Sequence, residues 1–456
     1  MPSAVSKPFT IQVVTRSSLP SWVPQPGRFA EFTLNTMNDA RPVNYTDSIL
    51  ANWCGAAYIR DYSANGGIAY HGGGEHSNWP DRGGVVVLDL STRRYEWVCA
   101  PANTSHVGAA SAGVGSPVGG YGEYLDDGSP QSKHTYNGLC EMPAAWGGGP
   151  RGSLIRAPHT GELTNAAPPF GSTSDPFTTQ GYAGTWRFDL SKGSHSVRNP
   201  AIFNMTAGQY FNHDPGTPGY KSVANSGVGS CMDEIRQGFW TGEAFPNGSG
   251  WCFVTKAGII YRTLSPGTPP GGLGRGFFQP YHFADTDELI CFTDWNGPRI
   301  YVGKPVGNPP TGFSSWANAA IRFSPSSIEN EFNCVAFDYH GPKWSSILGC
   351  FVCIQPYNSN PPPTGIGLAQ PSLTVVSVFK ITPPPAGQRQ TGTWVITKES
   401  LTSADGSVMR LDSARNPDSA NQNGSYGKLL EAPRLRSLVW TRNASDKGQL
   451  LRLTGM

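Results

Sequence analysis

One short pattern recurs along the chain and narrows the architecture more than any other feature. An apolar run closes on a polar residue, an apolar residue and a hydroxyl: "VLDLS" at 87–91, "RFDLS" at 187–191, "VFKIT" at 378–382 and "LLRLT" at 450–454. Looser echoes stand at "IIYRT" (259–263) and "RIYVG" (299–303). Short apolar runs bounded by turn residues read as strands. Their central residues, Leu88, Phe188, Tyr261, Tyr301, Phe379 and Leu451, lie about 73 residues apart on average, with wide scatter. A period that long holds a whole supersecondary unit, not one strand.

The first unit shows what is repeated. "WCGAAYI" (53–59) is followed by the turn "SANGG", then "GIAYH" (67–71), three glycines, "GVVVLDL" (84–90) and "RRYEWV" (93–98). Four short strands with tight turns make an antiparallel meander. Helices cannot cover it. The chain carries 56 Gly and 40 Pro, and in a helix interior each glycine costs ~1 kcal/mol and each proline ~3 kcal/mol. The 13 Trp, 17 Tyr and 21 Phe equally exclude a disordered polymer.

Meanders repeated in series predict an all-β closed β-propeller of four-stranded antiparallel blades around a channel. Six blades are expected, or seven if 22–50 belongs to another. Their approximate ranges are 50–101, 130–198, 220–265, 276–323, 330–400 and 425–456, within a single domain spanning 1–456. The last range supplies only three strands, "GKLLEAP", "RSLVWTR" and "GQLLRLT". Residues 1–49 are therefore expected to provide a lead-in and the closing strand, assigned to 8–14 within "KPFTIQVV". Pairing the two chain regions removes exposed sheet edges.

The first unit resembles a kelch repeat of the galactose-oxidase-like propeller superfamily. The residues that carry the likeness are Ile68–His71, Gly72–Gly74, Val85–Leu90, Arg93–Arg94 and Trp97. The second unit, with "KHTYNGLCEMP", "GSLIRAP" and "GTWRFDLS", follows less closely, and later units lose the glycine cluster. The resemblance implies a fold and is nearly silent about function.

Charge excludes one class of partner. The net charge is +2, only 14% of residues are charged, and no basic run stands out, so there is no electrostatic footprint for nucleic acid. No stretch reaches the roughly 18 apolar residues of a membrane span. The N-terminus lacks the basic-then-apolar pattern of a signal peptide, which predicts cytoplasmic synthesis without classical export. Long Gly/Pro/Ser-rich loops at 101–130, 159–183, 200–220, 355–371, 383–392 and 403–425 read as interaction surface. Together these features predict a non-enzymatic binding or assembly module that uses no cofactor. Its expected partners are proteins or a surface polysaccharide met through the loops, with assembly into a larger particle such as a bacteriophage virion.

The alternative is a carbohydrate-active enzyme, a lyase acting on uronic-acid polysaccharide. Its candidate residues are His134 and Tyr136 in "SKHTYNG", beside Lys133 and Asn137. Residues two apart on a strand face one side, and a β-elimination needs a base and an acid acting at neighbouring atoms. Arg151 or Arg156 would neutralise the substrate carboxylate. His71, with His76 in "HGGGEHSN", reads either as an acid/base at the channel mouth or as a strand end bonded to the next blade. The copper set implied by galactose oxidase needs two Tyr, two His and a Cys; His213, His282 and His340 are spread over separate blades and do not map onto it. "GGLGRG" at 271–276 opens no helix and reads as a loop.

Nine cysteines are scattered, most of them inside apolar runs. Cys350 and Cys353 lie three apart in one run, so a strand would point them to opposite faces and deny them a shared metal; no metal site is expected. Burial as reduced thiols is the reading. Thiol titration should find few reactive groups in the native protein and all nine after denaturation; a deficit after denaturation would reveal disulfides.

Overall fold

The structure is a computed structural model that describes residues 19–31, 55–71, 85–99, 135, 137–156, 185–191, 210–211, 229–242, 251–257, 260–263, 279–293, 298–332, 341–355, 377–409, 428–441 and 449–456. Strand β1 (Arg28–Glu31) comes first in the chain but belongs to the last sheet. Blade 1 is β2 (Gly55–Ile59), β3 (Gly67–His71), β4 (Val85–Asp89) and β5 (Arg94–Cys99). Blade 2 is β6 (Leu139–Met142), β7 (Ser153–Arg156), β8 (Thr185–Asp189) and β9 (Tyr210–Phe211). Blade 3 is β10 (Ser230–Asp233), β11 (Gly238–Gly242), β12 (Trp251–Thr255) and β13 (Ile260–Thr263).

Blade 4 is β14 (Gln279–Phe283), β15 (Glu288–Thr293), β16 (Arg299–Val306) and β17 (Gly312–Asn318). The chain then adds β18 (Ala320–Phe323) to the outer edge of blade 5, and continues with β19 (Lys343–Ser345), β20 (Cys350–Gln355), β21 (Ser377–Thr382) and β22 (Thr393–Glu399). Blade 6 is β23 (Leu429–Ala432), β24 (Ser437–Trp440) and β25 (Gln449–Arg452), completed by β1. The first strands β2, β6, β10, β14, β19 and β23 each meet the next, and β23 returns to β2. The fold is a six-bladed β-propeller.

Two details depart from the sequence reading. Blade 5 has five strands, because β18 pairs in parallel with β22, Ala320 opposite Thr393. The closing strand is Arg28–Glu31, paired antiparallel with β25 as Arg28 opposite Arg452 and Phe29 opposite Leu451; residues 8–14 lie outside the described residues. The physical reason is that an edge strand is chosen by its cross-strand partners more than by its own β-propensity. Gly27, at φ 76°, turns the chain so that its N–H reaches the Arg452 carbonyl. Arg28 then hydrogen-bonds Thr402 and the Ser403 carbonyl, and Phe29 packs on the core beside Leu451.

Packing explains the ring. Six apolar clusters each span two neighbouring blades. Ala57, Ile59 and Val87 meet Leu139, Leu154 and Phe188 between blades 1 and 2, and Met142 and Ile155 meet Phe239 and Val254 between blades 2 and 3. Trp240, Trp251 and Phe253 meet Leu289, Tyr301 and Phe313; Phe292, Ile300 and Val302 meet Phe351, Phe379 and Trp394. Val352, Ile354 and Val378 meet Leu429, Leu438 and Leu451, and Val439 and Leu450 close the circle on Ile68, Tyr70 and Trp97. The buried free thiols fit this scheme: Cys350 lies in the seam with blade 6, and Cys353, three residues on, in the seam with blade 4.

Removing residues 1–31 should uncover the β25 edge and loosen the seam it helps cover. Size-exclusion chromatography is expected to show oligomers, and the Tm to fall. A monomeric truncation with unchanged Tm would contradict closure by β1.

Candidate functional site at the loop-bearing end of the ring

Meander topology makes the two ends of the ring unlike. In blade 1 the turns 60–66 and 90–93 share one end, while the connections 72–84 and 100–134 share the other. The same alternation holds in every blade, so the second and fourth strands all end on one side of the ring, where the segments that follow them begin. Most of the longer connections start and finish there, but the 192–209 connection of blade 2 and the 383–392 loop of blade 5 attach to the turn end. The other end is built of turns and of ionic clasps between blades.

The turn end is charge-satisfied. Glu141 accepts from the Arg60 backbone N–H at 2.6 Å and from its Nε at 2.7 Å. Burial pushes its carboxyl up to about 7, against the pull of Arg60. Glu431 accepts from the Ser345 hydroxyl and from the Ser346 N–H and hydroxyl, and Arg389 grips Asp285 and Glu288 of blade 4. Arg434 donates to the Ser63 and Ala64 carbonyls.

The densest clasp joins blades 3 and 4. Arg236 donates to Asp233 Oδ2 at 2.8 Å and to both Asp287 oxygens at 2.7 and 2.6 Å. Trp240 Nε1 also donates to Asp233, and His282 Nε2 lies 2.9 Å from Asp287 Oδ1. Asp233, His282 and Asp287 hold ligand-type atoms within 4.8 Å of one another, but the guanidinium already supplies the positive charge a cation would bring. This is a structural clasp. Burial opposes the Asp287 charge, yet hydrogen bonds from His282 and Arg236 hold its carboxyl well below the usual carboxylate range.

At the loop end the strands finish in buried polar residues. His71 and Arg156 end β3 and β7, and Thr241, Thr293 and Thr441 hold comparable places in blades 3, 4 and 6. Arg156 Nη1 lies 3.2 Å from His71 Nε2, across the seam between blades 1 and 2. A guanidinium can only donate, so Nε2 accepts and the imidazole is the neutral Nδ1–H tautomer. Phe188 packs on the ring at 4.6 Å. Thr135 ties the same corner together, donating to the His71 carbonyl and accepting from the Gly55 N–H, both at 2.8 Å.

Two of the four candidate site residues therefore meet: His71 and Arg156 form a buried pair, 0% and 1% exposed. The other two, His134 and Tyr136, lie outside the described residues, as do Lys133, His76, His213 and His340. Arg151 is elsewhere, at the turn end, over the Tyr62 ring and near Glu96. His282 belongs to the clasp. Sequence reading missed Lys343 and Gln279, whose side chains join at 2.6 Å at the starts of β19 and β14; "GPKWSS" carries no motif, and only ring closure brings it to "QPYHF". No protein-family model matches the chain, and no curated protein matches it.

Three outcomes test this description. Arg156→Met should destabilise by roughly 1–3 kcal/mol, because it strips a buried acceptor of its donor. Asp287 contributes stability above the ordinary carboxylate value, lost as pH falls below about 4, so Asp287→Asn should flatten the acid side of a Tm–pH curve. Glu141 has the opposite sign: its contribution is full below about 4.5 and is lost as pH rises through about 7. Glu141→Gln should accordingly gain more Tm at pH 8 than at pH 5.

Proposed function

We propose that this propeller is a non-catalytic binding or assembly module whose partner docks on the loop-bearing end. The observation that carries the reading is the asymmetry of the ring: clasped turns close one end, and most of the longer connections start and finish at the other. A core committed to six seams leaves recognition to loops. A protein partner or a surface polysaccharide suits such an end equally well by chemistry, and a place in a virus particle is the narrower form of the same reading. The kelch-like reading of blade 1 belongs here too: Gly67–His71, Val85–Asp89 and Arg94–Cys99 form its second to fourth strands, with Trp97 in the seam to blade 6.

The state of His71 argues against its serving as the base of a lyase; His134 and Tyr136, the other pair considered for that chemistry, lie outside the described residues. The His71 Nε2 lone pair is engaged by Arg156, and neither residue offers exposed surface to a polymer. A general base must reach the proton it removes.

The deciding assay incubates the protein with a panel of acidic polysaccharides and follows the absorbance of unsaturated uronate. No product is expected, and the His134→Ala/Tyr136→Ala protein should retain the Tm of the parent within a few degrees. Product formed by the parent and lost in the double variant would overturn the reading. Replacing 157–184 and 356–376 by short Gly/Ser linkers should leave Tm nearly unchanged, since halving a loop alters closure entropy by only about 0.6 kcal/mol; a collapse in Tm would show that these segments serve the fold.

A further inference from the structure

Around the starts of the innermost strands β6, β14 and β19 stands a polar cluster that none of the clasps uses. Lys343 opens β19 at the loop-bearing end and is half-buried. Its ammonium donates to Gln279 Oε1 at 2.6 Å, and no carboxylate among the described residues pairs with it. The groups that act on it electrostatically are the Cys140 and Cys231 thiols, and burial pushes both of these up, so they stay neutral. Burial also lowers the Lys343 amine to about 8.

Asn137 stands beside this pair. It is 1% exposed, and neither Nδ2 nor Oδ1 has a hydrogen-bond partner. Gly341 makes the approach: a Cβ there would lie 2.9 Å from Asn137 Oδ1 and 3.0 Å from Gln279 Cβ. The Asn137 carbonyl accepts from the Ser230 N–H, which fixes its backbone across the seam between blades 2 and 3. The Ser230 hydroxyl faces the Cys140 thiol, a poor acceptor.

Counting donors decides the ligand class. An ammonium has three N–H donors and a carboxamide two; Gln279 takes one of the five, and even with Asn137 Oδ1 taking another, three remain. An orphaned buried amide costs about 1–3 kcal/mol, and an ammonium without a counter-ion adds its own desolvation. What the cluster lacks is one negative charge and several acceptor lone pairs. We propose that Lys343, Gln279 and Asn137 form a binding site for a small monovalent oxyanion, of the formate, acetate or nitrate class, where the innermost strands β6, β14 and β19 begin. One ammonium balances one charge, and a planar pair of oxygens accepts from Lys343 and Asn137 together. The site does not depend on which partner the loops engage.

The experiment measures Tm at pH 7 and constant ionic strength with formate, acetate, nitrate, chloride or sulfate. A saturable rise is expected with the three planar oxyanions, as ligand linkage requires, and it should vanish in Lys343→Met and in Asn137→Leu. A second readout needs no variant. Acetylation by an N-hydroxysuccinimide ester at pH 8, mapped by peptide mass spectrometry, should slow at least tenfold at Lys343 under saturating acetate. The exposed Lys256 and Lys304 should react at unchanged rates. No saturable rise, an equal rise with chloride, a rise retained in both variants, or unprotected Lys343 would each overturn the proposal.

Discussion

A four-stranded sheet has two faces to hide, and among the described residues no helix longer than four residues is present to hide them. Everything else in this molecule follows from that. Each blade buries both faces against its two neighbours, so the apolar core is six seams and not one central mass. Such seams are satisfied all round only if the ring closes. Closure rests on four residues, Arg28–Glu31, which occupy the edge that β25 would otherwise expose.

The same constraint sorts the polar chemistry. Where turns bring neighbouring blades together, carboxylates are met by arginines of the adjoining blade, as at Arg236–Asp287 and Arg60–Glu141, and Arg236 also holds the buried Asp233 of its own blade. Such pairs hold the seams in register and have no spare valence for a ligand. At the opposite end the second strands finish in neutral or cationic groups, with His71 and Arg156 bound to each other. Lys343 and Asn137 differ from both groups, because the seam geometry brings them together at the starts of innermost strands with fewer acceptors than donors.

Much of the fold was legible in local residues. "GIAYH", "VVVLD" and "RYEWV" announce β3, β4 and β5 because apolar runs between glycine and charged turns have few other uses. The opposite facing of Cys350 and Cys353 follows from strand geometry alone. The sequence reading looked for the closing strand at 8–14, which has the stronger β composition, whereas Arg28–Glu31 was inconspicuous because its place depends on its cross-strand partners in β25. The fifth strand of blade 5 was hidden for a similar reason: Ala320–Phe323 follows β17 directly in the chain yet pairs with β22, more than seventy residues away. In the candidate site, His71 and Arg156 could be named singly, but nothing local says that they meet.

The sequence by itself determined the repeating unit, the lack of long helices among the described residues and the need for a ring, because these depend on composition and on periodicities within a few residues. Tertiary structure alone decided which strand shuts the ring, which carboxylates are saturated and which polar groups at the starts of the innermost strands are left short of partners. Those outcomes depend on residues such as Lys343 and Gln279, 64 positions apart, whose proximity exists only once six seams have fixed the positions of all the blades.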